Sequence, residues 1–382
     1  MSEIGNELPN AKKQRTESPK VQTDREKYAP YFEELVDKGY TVIPDVVSPE
    51  KCEEASRLLH EFMLKFDIDV TSPSLKKSDY PNAHGIIQHL GAGQSQGAWL
   101  IREDEEVANI FSLMYGTNDL LCSMDGVCLV PSQYTNRNKS WLHVDQAPTK
   151  KGLRCIQGYV NLLTSHDAKS RSLSVLPYSH LVHEKLEKRI PRAQGVKKDW
   201  FKFEENEICL LGATERAADG KLHRLAPLPR TRVLGGVGSL VLWDSRLAHE
   251  GLEPDPATKD RRPGEVVYVC MQPRAFISDA NLEKKKKAFR EYRLTTHWAA
   301  SKIELFPLKW RTWGKEVPEN LTRQIRDRVE SPRMLELAGI TELKTRAKIT
   351  TEPMLEFGAE KEEEGEEGEE DVSEEEDGAA DF

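Results

Sequence analysis

Hydrophobic positions recur along this chain at two different periods, and the period changes near residue 118. In "VVSPEKCEEASRLLHEFMLKF" (46–66), Leu58, Leu59 and Phe62 fall on one face of a 3.6-residue repeat. Ser48 is placed to cap that helix, with Pro49 at its first helical position. In "EDEEVANIFSLMYG" (103–116), Val107, Ile110, Phe111 and Met114 stand at i, i+3, i+4 and i+7. Acidic residues fill its first turn and Gly116 ends it, so a second helix is predicted. From there the apolar runs become short and rich in Val and Leu: "LLCSMDGVCLV", "LRCIQGYVNLLT", "SLSVLP", "TRVLGGVGSLVLWD" and "EVVYVCMQP". Gly, Pro, Asp or Ser bound each of them, which is the pattern of a β-sandwich or barrel. Helical spacing returns in "DANLEKKKKAFREYR" (279–293), with a dense basic face, and in the short "SPRMLELAGI".

The expected fold class is therefore mainly β with flanking helices, in one composite domain over 28–350 whose β core covers about 118–275. No internal repeat is visible. Residues 1–27 are polar and aperiodic and are expected to be disordered, as is an acidic tail over 351–382. That tail accounts for the acidity of the whole chain. Residues 360–382 hold fourteen acids against one lysine, a net of −13, and the chain's −9 leaves about +4 for the rest. A body so weakly basic, without aromatic residues interleaved in a basic stripe, disfavours nucleic acid as a partner. The tail itself is a candidate arm for contacting a basic protein. The six cysteines show no CxxC spacing and lie in apolar contexts, as reduced core thiols of an intracellular protein would. No apolar run approaches the length of a membrane span, so a cytoplasmic or nuclear location is expected.

Chemistry enters at "SWLHVDQAP" (140–148). In a chain with ten histidines a His-x-Asp pair says little alone. On a strand, however, residues two apart point the same way, so His143 and Asp145 would share a face. "GSLVLWDSRLAHEG" (238–251) offers a third donor, His249, just after another strand. Two imidazoles and one carboxylate on one face suit iron(II) with open positions, and zinc can use the same set. Spacing does not choose between them. Arg261 and Arg262 follow at the mouth of the next strand, where a guanidinium could hold a carboxylate through two parallel hydrogen bonds.

Taken together, "DGVCLVP" (125–131), "WLHVDQAP" (141–148), "LSVLPYSHLVHE" (173–184), "GSLVLWDSRLAHEG" (238–251) and "VVYVCMQPR" (266–274) resemble the phytanoyl-CoA dioxygenase-like family of Fe(II)/2-oxoglutarate-dependent oxygenases. The resemblance covers about 85–310. It implies a double-stranded β-helix (jelly-roll, cupin-like) core, with His143, Asp145 and His249 as both metal ligands and catalytic centre. It implies iron(II) as cofactor, 2-oxoglutarate and O2 as co-substrates, and release of succinate and CO2. Arg262 is the implied anchor for 2-oxoglutarate, with Arg261 as its substitute, although "PGE" separates Arg262 from the strand that the family's arginine directly precedes. Gln157 and Tyr159 would face the pocket by strand alternation, as co-substrate contacts or as packing. Trp99, Arg102 and His297 are further candidates for the substrate entrance. A small-molecule or lipid-like substrate is expected, with a protein side chain as the second choice. The competing classes are a non-catalytic binding protein on the same barrel and a zinc hydrolase.

Overall fold

The computed structural model describes residues 19–75, 85–132, 140–163, 169–212, 214–216, 222–224, 229–254, 257–308 and 317–358. In chain order these form helix α1 (Pro19–Lys38), strand β1 (Tyr40–Ile43), α2 (Pro49–Leu64), β2 (Ile86–Ile87), α3 (Gln96–Arg102) and α4 (Glu105–Tyr115). There follow β3 (Leu120–Cys122), β4 (Val127–Val130), β5 (His143–Val144), β6 (Ile156–Asn161), β7 (Ser172–Val175), α5 (Leu186–Arg189) and β8 (Phe201–Lys202). The chain then runs through β9 (Thr214–Arg216), β10 (Leu222–Arg224), β11 (Thr231–Arg232), β12 (Leu240–Asp244) and β13 (His249–Leu252). It closes with β14 (Gly264–Val269), β15 (Met271–Pro273), α6 (Asp279–Glu291) and α7 (Pro332–Leu337).

Two antiparallel sheets carry the architecture. The larger has the order β1-β12-β6-β14-β4-β2 and the smaller β11-β7-β13-β5-β8. The chain crosses between them repeatedly, since β4, β6, β12 and β14 belong to the larger sheet while β5, β7 and β13 belong to the smaller. Side-chain alternation sorts the residues of each strand. On β12, Leu240 and Leu242 enter the main core beneath the helices, whereas Val241 and Trp243 face the other way. There they meet Leu173 and Val175 of β7 and Tyr159 of β6, so an apolar layer joins the two sheets. A separate cluster around Leu142, Leu186, Ile190, Phe201 and Phe203 packs beneath β5 and β8.

The helical cover forms as the pattern predicts. Ser48 caps α2 by accepting from Lys51 N at 3.2 Å, a contact that contributes about 1 kcal/mol. Asp104 caps α4, and Val107, Ile110, Phe111 and Met114 are all buried. Each such side chain stabilises by roughly 1.5–3 kcal/mol relative to exposure. The packed body is longer than 28–350 at both ends. Helix α1 begins at Pro19, and Arg25 donates to Glu352 O at 2.7 Å. At the other end Phe357 stacks on Tyr115 with ring centroids 4.2 Å apart. Residues 1–18 of the polar N-terminal segment and residues 359–382 of the acidic tail lie outside the described residues. Among the described residues no helix is long and apolar enough to cross a membrane. The thiols of Cys52, Cys122, Cys128, Cys155 and Cys270 are buried and unbridged, and Cys155 and Cys270 approach to 3.2 Å.

Candidate metal centre

Antiparallel register brings the two histidines together. His143 on β5 is the direct cross-strand partner of His249 on β13. Their ring centroids stand 4.4 Å apart. Asp145 follows β5 in the next turn, where its backbone N–H donates to Ser245 O at 3.1 Å. Candidate ligand atoms of His143, Asp145 and His249 all lie within 4.8 Å of one another, so the three residues named from spacing form a set that can hold a metal ion.

Both imidazoles are aimed by the same local device. Nδ1 of His143 donates to Trp141 O at 2.8 Å, and Nδ1 of His249 donates to Leu247 O at 2.9 Å. A carbonyl accepts only from a protonated nitrogen, so each ring keeps its proton on Nδ1 and turns the Nε2 lone pair inward. Those Nε2 atoms face the Asp145 carboxylate at 3.5 and 3.4 Å. The gaps exceed ordinary hydrogen bonds, and metal–ligand bonds of about 2.1 Å each can bridge them. Burial alone would push the Asp145 carboxyl up. His143 first, then His249 and His297, outweigh it and hold the group well below the usual carboxylate range. An ionised carboxylate facing two imidazole Nε2 atoms is a donor set in which a divalent cation can take the place of the ring protons.

Aromatic rings wall this centre. Trp141 stacks on His143 at 4.6 Å, Trp200 lies 6.0 Å from the same ring, and Trp243 lies 5.4 Å from His249. Glu250, buried on β13, accepts from Trp141 N and Ser140 Oγ at 3.0 Å each, which ties the segment before His143 to the strand carrying His249. Gln146 buttresses the Asp145 turn, accepting from Ser245 Oγ at 2.9 Å and donating to Gly152 O at 2.9 Å. His183 is a core residue that donates from Nε2 to Gln146 O at 3.0 Å, and His180 bonds Val36 O at 3.0 Å.

The remaining expectations divide. Tyr159 and Gln157 do face the layer between the sheets. Tyr159 packs against Trp243 and Tyr268, while Gln157 is buried with no hydrogen-bond partner for Nε2 among the described residues. His297 lies close enough to Asp145 and His249 for their charges to act on it, and burial holds its imidazole below the ordinary range. Trp99 and Arg102 are completely buried in the helical layer. Arg262 sits exposed at the rim with its backbone N–H on Lys169 O, and Arg261 is half-buried. Two residues near the centre were not singled out from the sequence. Arg171 is an interior guanidinium on the approach to β7, recognisable only from its parity with Leu173 and Val175. Asp125, in the β3–β4 turn, has its carboxyl pushed up to about 6 by burial.

Asp125 gives a pH signature. Its folded value lies above the ordinary 3.8, so the native state holds that proton more tightly than the unfolded chain does. The associated stability is present below about pH 4 and is lost as pH rises through about 6. Asp125→Asn keeps an acceptor for Gly126 N, which now lies 2.6 Å from Oδ1, without the buried charge. The variant should therefore gain on wild type by about 2 kcal/mol between pH 4 and 7.5, read from paired thermal melts. A difference that does not change with pH would remove the effect.

The chain matches no protein-family model. It is 26% identical over 285 residues to the Ava biosynthesis cluster protein O of Aspergillus versicolor, covering 72% of this chain and 87% of that protein. Among solved structures it is similar to HygX from Streptomyces hygroscopicus with iron bound, at 12% identity and a TM-score of 0.40 over 65% of this chain and 88% of that one. It is likewise similar to the non-heme alpha ketoglutarate dependent carbocyclase SnoK from nogalamycin biosynthesis, at 14% identity and a TM-score of 0.39 over 64% and 83%.

Proposed function

We propose that this protein is an Fe(II)- and 2-oxoglutarate-dependent oxygenase on a double-stranded β-helix core, acting on a small-molecule or lipid-like substrate. The observation that carries the reading is the convergence of the His143 and His249 Nε2 lone pairs on the Asp145 carboxylate, with both tautomers set by backbone carbonyls. Two imidazoles and one carboxylate on one side of an ion are the donor set of non-haem iron oxygenases and leave the opposite positions open. The interleaved sheets fit the proposed core, since they supply these ligands from strands that are adjacent in space and distant in sequence. A relative whose name places it in a biosynthesis cluster favours a small molecule over a protein side chain.

Iron(II), when bound, would supply the oxidative chemistry: 2-oxoglutarate, O2 and a substrate C–H give succinate, CO2 and the hydroxylated product. The chain's own residues fix the geometry. His143 and His249 cannot turn without breaking their Nδ1 hydrogen bonds, and Ser245 and Gln146 hold the turn that carries Asp145. Trp141, Trp200 and Trp243 lay apolar ring surface beside the two imidazoles.

The test is direct. Metal-free protein reconstituted anaerobically with iron(II) and then given air should convert 2-oxoglutarate to succinate, with slow turnover before any substrate is added. Adding a metabolite extract should raise the rate and yield a product heavier by one oxygen. If the iron-loaded protein neither binds nor decarboxylates 2-oxoglutarate, while zinc-loaded protein hydrolyses esters or amides, the reading is wrong.

A further inference from the structure

Strand β7 points Leu173 and Val175 into the layer between the sheets. Arg171 precedes Leu173 by two and follows the same parity, and its side chain is only 8% exposed. Three glycines make room for it. A Cβ on Gly251 would stand 2.4 Å from Nη2 of Arg171, one on Gly85 2.3 Å from its Cζ, and one on Gly264 3.1 Å from its Cβ. Any side chain at Gly251 or Gly85 would displace the guanidinium.

The position of Gly251 locates the group relative to the metal centre. Gly251 lies two residues after His249 on β13, on the face that presents the imidazole, one side-chain row or about 7 Å along the strand. Trp141 spans the interval: its ring stacks on His143 and its Cζ2 would lie 3.4 Å from a Cβ on Gly251. Tyr268 and Cys128 sit close enough for the Arg171 charge to act on them. A cation thus stands at the far end of an aromatic wall whose near end is the metal triad. That arrangement suits a ligand that chelates through one end and carries an anion at the other.

The alternative guanidinium is less well placed. Residues 262, 264 and 266 share a parity on the approach to and along β14, yet Arg262 is exposed at the rim and position 264 is glycine. The space over Gly264 is filled by the stem of Arg171.

We propose that Arg171, rather than Arg262 or Arg261, binds the distal carboxylate of the 2-oxo acid co-substrate; this rests on the oxygenase reading above. Glu253 pairs with Nη1 of Arg171 and orients the fork, and Nη2 lies on the side of Gly251, in the His249 row. An arginine fork can serve two carboxylates at once, one on each edge.

The experiment measures binding rather than turnover. Manganese(II)-loaded protein is titrated by calorimetry, without oxygen, with 2-oxoglutarate and with 2-oxopentanoate, which lacks the distal carboxylate. Wild type should prefer 2-oxoglutarate by roughly tenfold to a hundredfold, the range of a charge-assisted pair. Arg171→Met should bind both acids with equal affinity, while Arg262→Ala keeps the wild-type preference. Retention of the preference in Arg171→Met with its loss in Arg262→Ala would overturn the assignment. If Arg171→Met does not fold, as judged by melting and manganese retention, Arg171→Lys decides: the charge stays and the fork goes. The preference should then fall severalfold, and an unchanged preference counts against Arg171. Wild-type protein that binds manganese but neither acid would instead overturn the oxygenase reading itself.

Discussion

Asp145→Ala is expected to weaken metal retention by more than a hundredfold while leaving the fold intact. Loss of an outer-shell hydrogen-bond partner at a metal site typically costs 10- to 100-fold in affinity, and a direct ligand costs more. Asp145 is the one carboxylate in the set, and its removal leaves two neutral imidazoles with no charge to offset that of the cation. The fold should tolerate the change. Its attachment to Ser245 runs through the backbone N–H, which alanine keeps. The measurement is metal content after desalting, paired with melting curves in the presence and absence of manganese(II). Saturating wild type at about a hundred times its dissociation constant adds about 2.7 kcal/mol of apparent stability. The variant should show no such rise, and its metal-free melting temperature should stay close to that of wild type. A variant that still rises with manganese would mean that the ion sits elsewhere.

How far this centre could be read from residues depended on the range of each relationship. The triad was legible because His143 and Asp145 are local and "LWDSRLAH" supplies the third donor beside a strand; the register that makes His143 and His249 direct partners adds only the pairing. Helices α2 and α4 were legible for the same reason, as cap, periodicity and stop are all local signals. The start of α1 was not: "PKVQTDREK" has almost no apolar residue, and its helix is held by distant contacts such as Arg25 to Glu352 and Asn109 to Asp24. Nothing local in "KSRSLSV" marks Arg171 as an interior residue. Its burial follows from glycines at positions 85, 251 and 264, on three other segments. The same limit applies to the approach of Cys155 and Cys270, which are 115 residues apart.

Arg102 shows that limit most sharply, and its replacement should produce the largest loss of stability. It is completely buried at the end of α3, with Trp99 of the same helix nearby. Among the described residues its hydrogen bonds go to backbone carbonyls rather than to a carboxylate. Nε donates to Tyr268 O at 3.0 Å, Nη1 to Gly93 O, and Nη2 to Asp125 O at 2.6 Å and Gly126 O at 3.5 Å. One guanidinium therefore ties the helical layer to β14 and to the turn before β4. Arg102→Ala would leave those carbonyls buried without donors and open a cavity the size of the side chain. Hydrogen bonds from charged groups are worth about 1.5–3 kcal/mol each, so a loss on the order of 4 kcal/mol or more is expected, with a fall in melting temperature of roughly 10 °C or more. Arg102→Lys separates geometry from charge. A lysine keeps the cation but has a single nitrogen, which cannot reach carbonyls on both sides of a planar fork. It should recover less than half of the loss. Full recovery by lysine would mean that charge alone anchors α3 to the sheet, and that the fork contributes little.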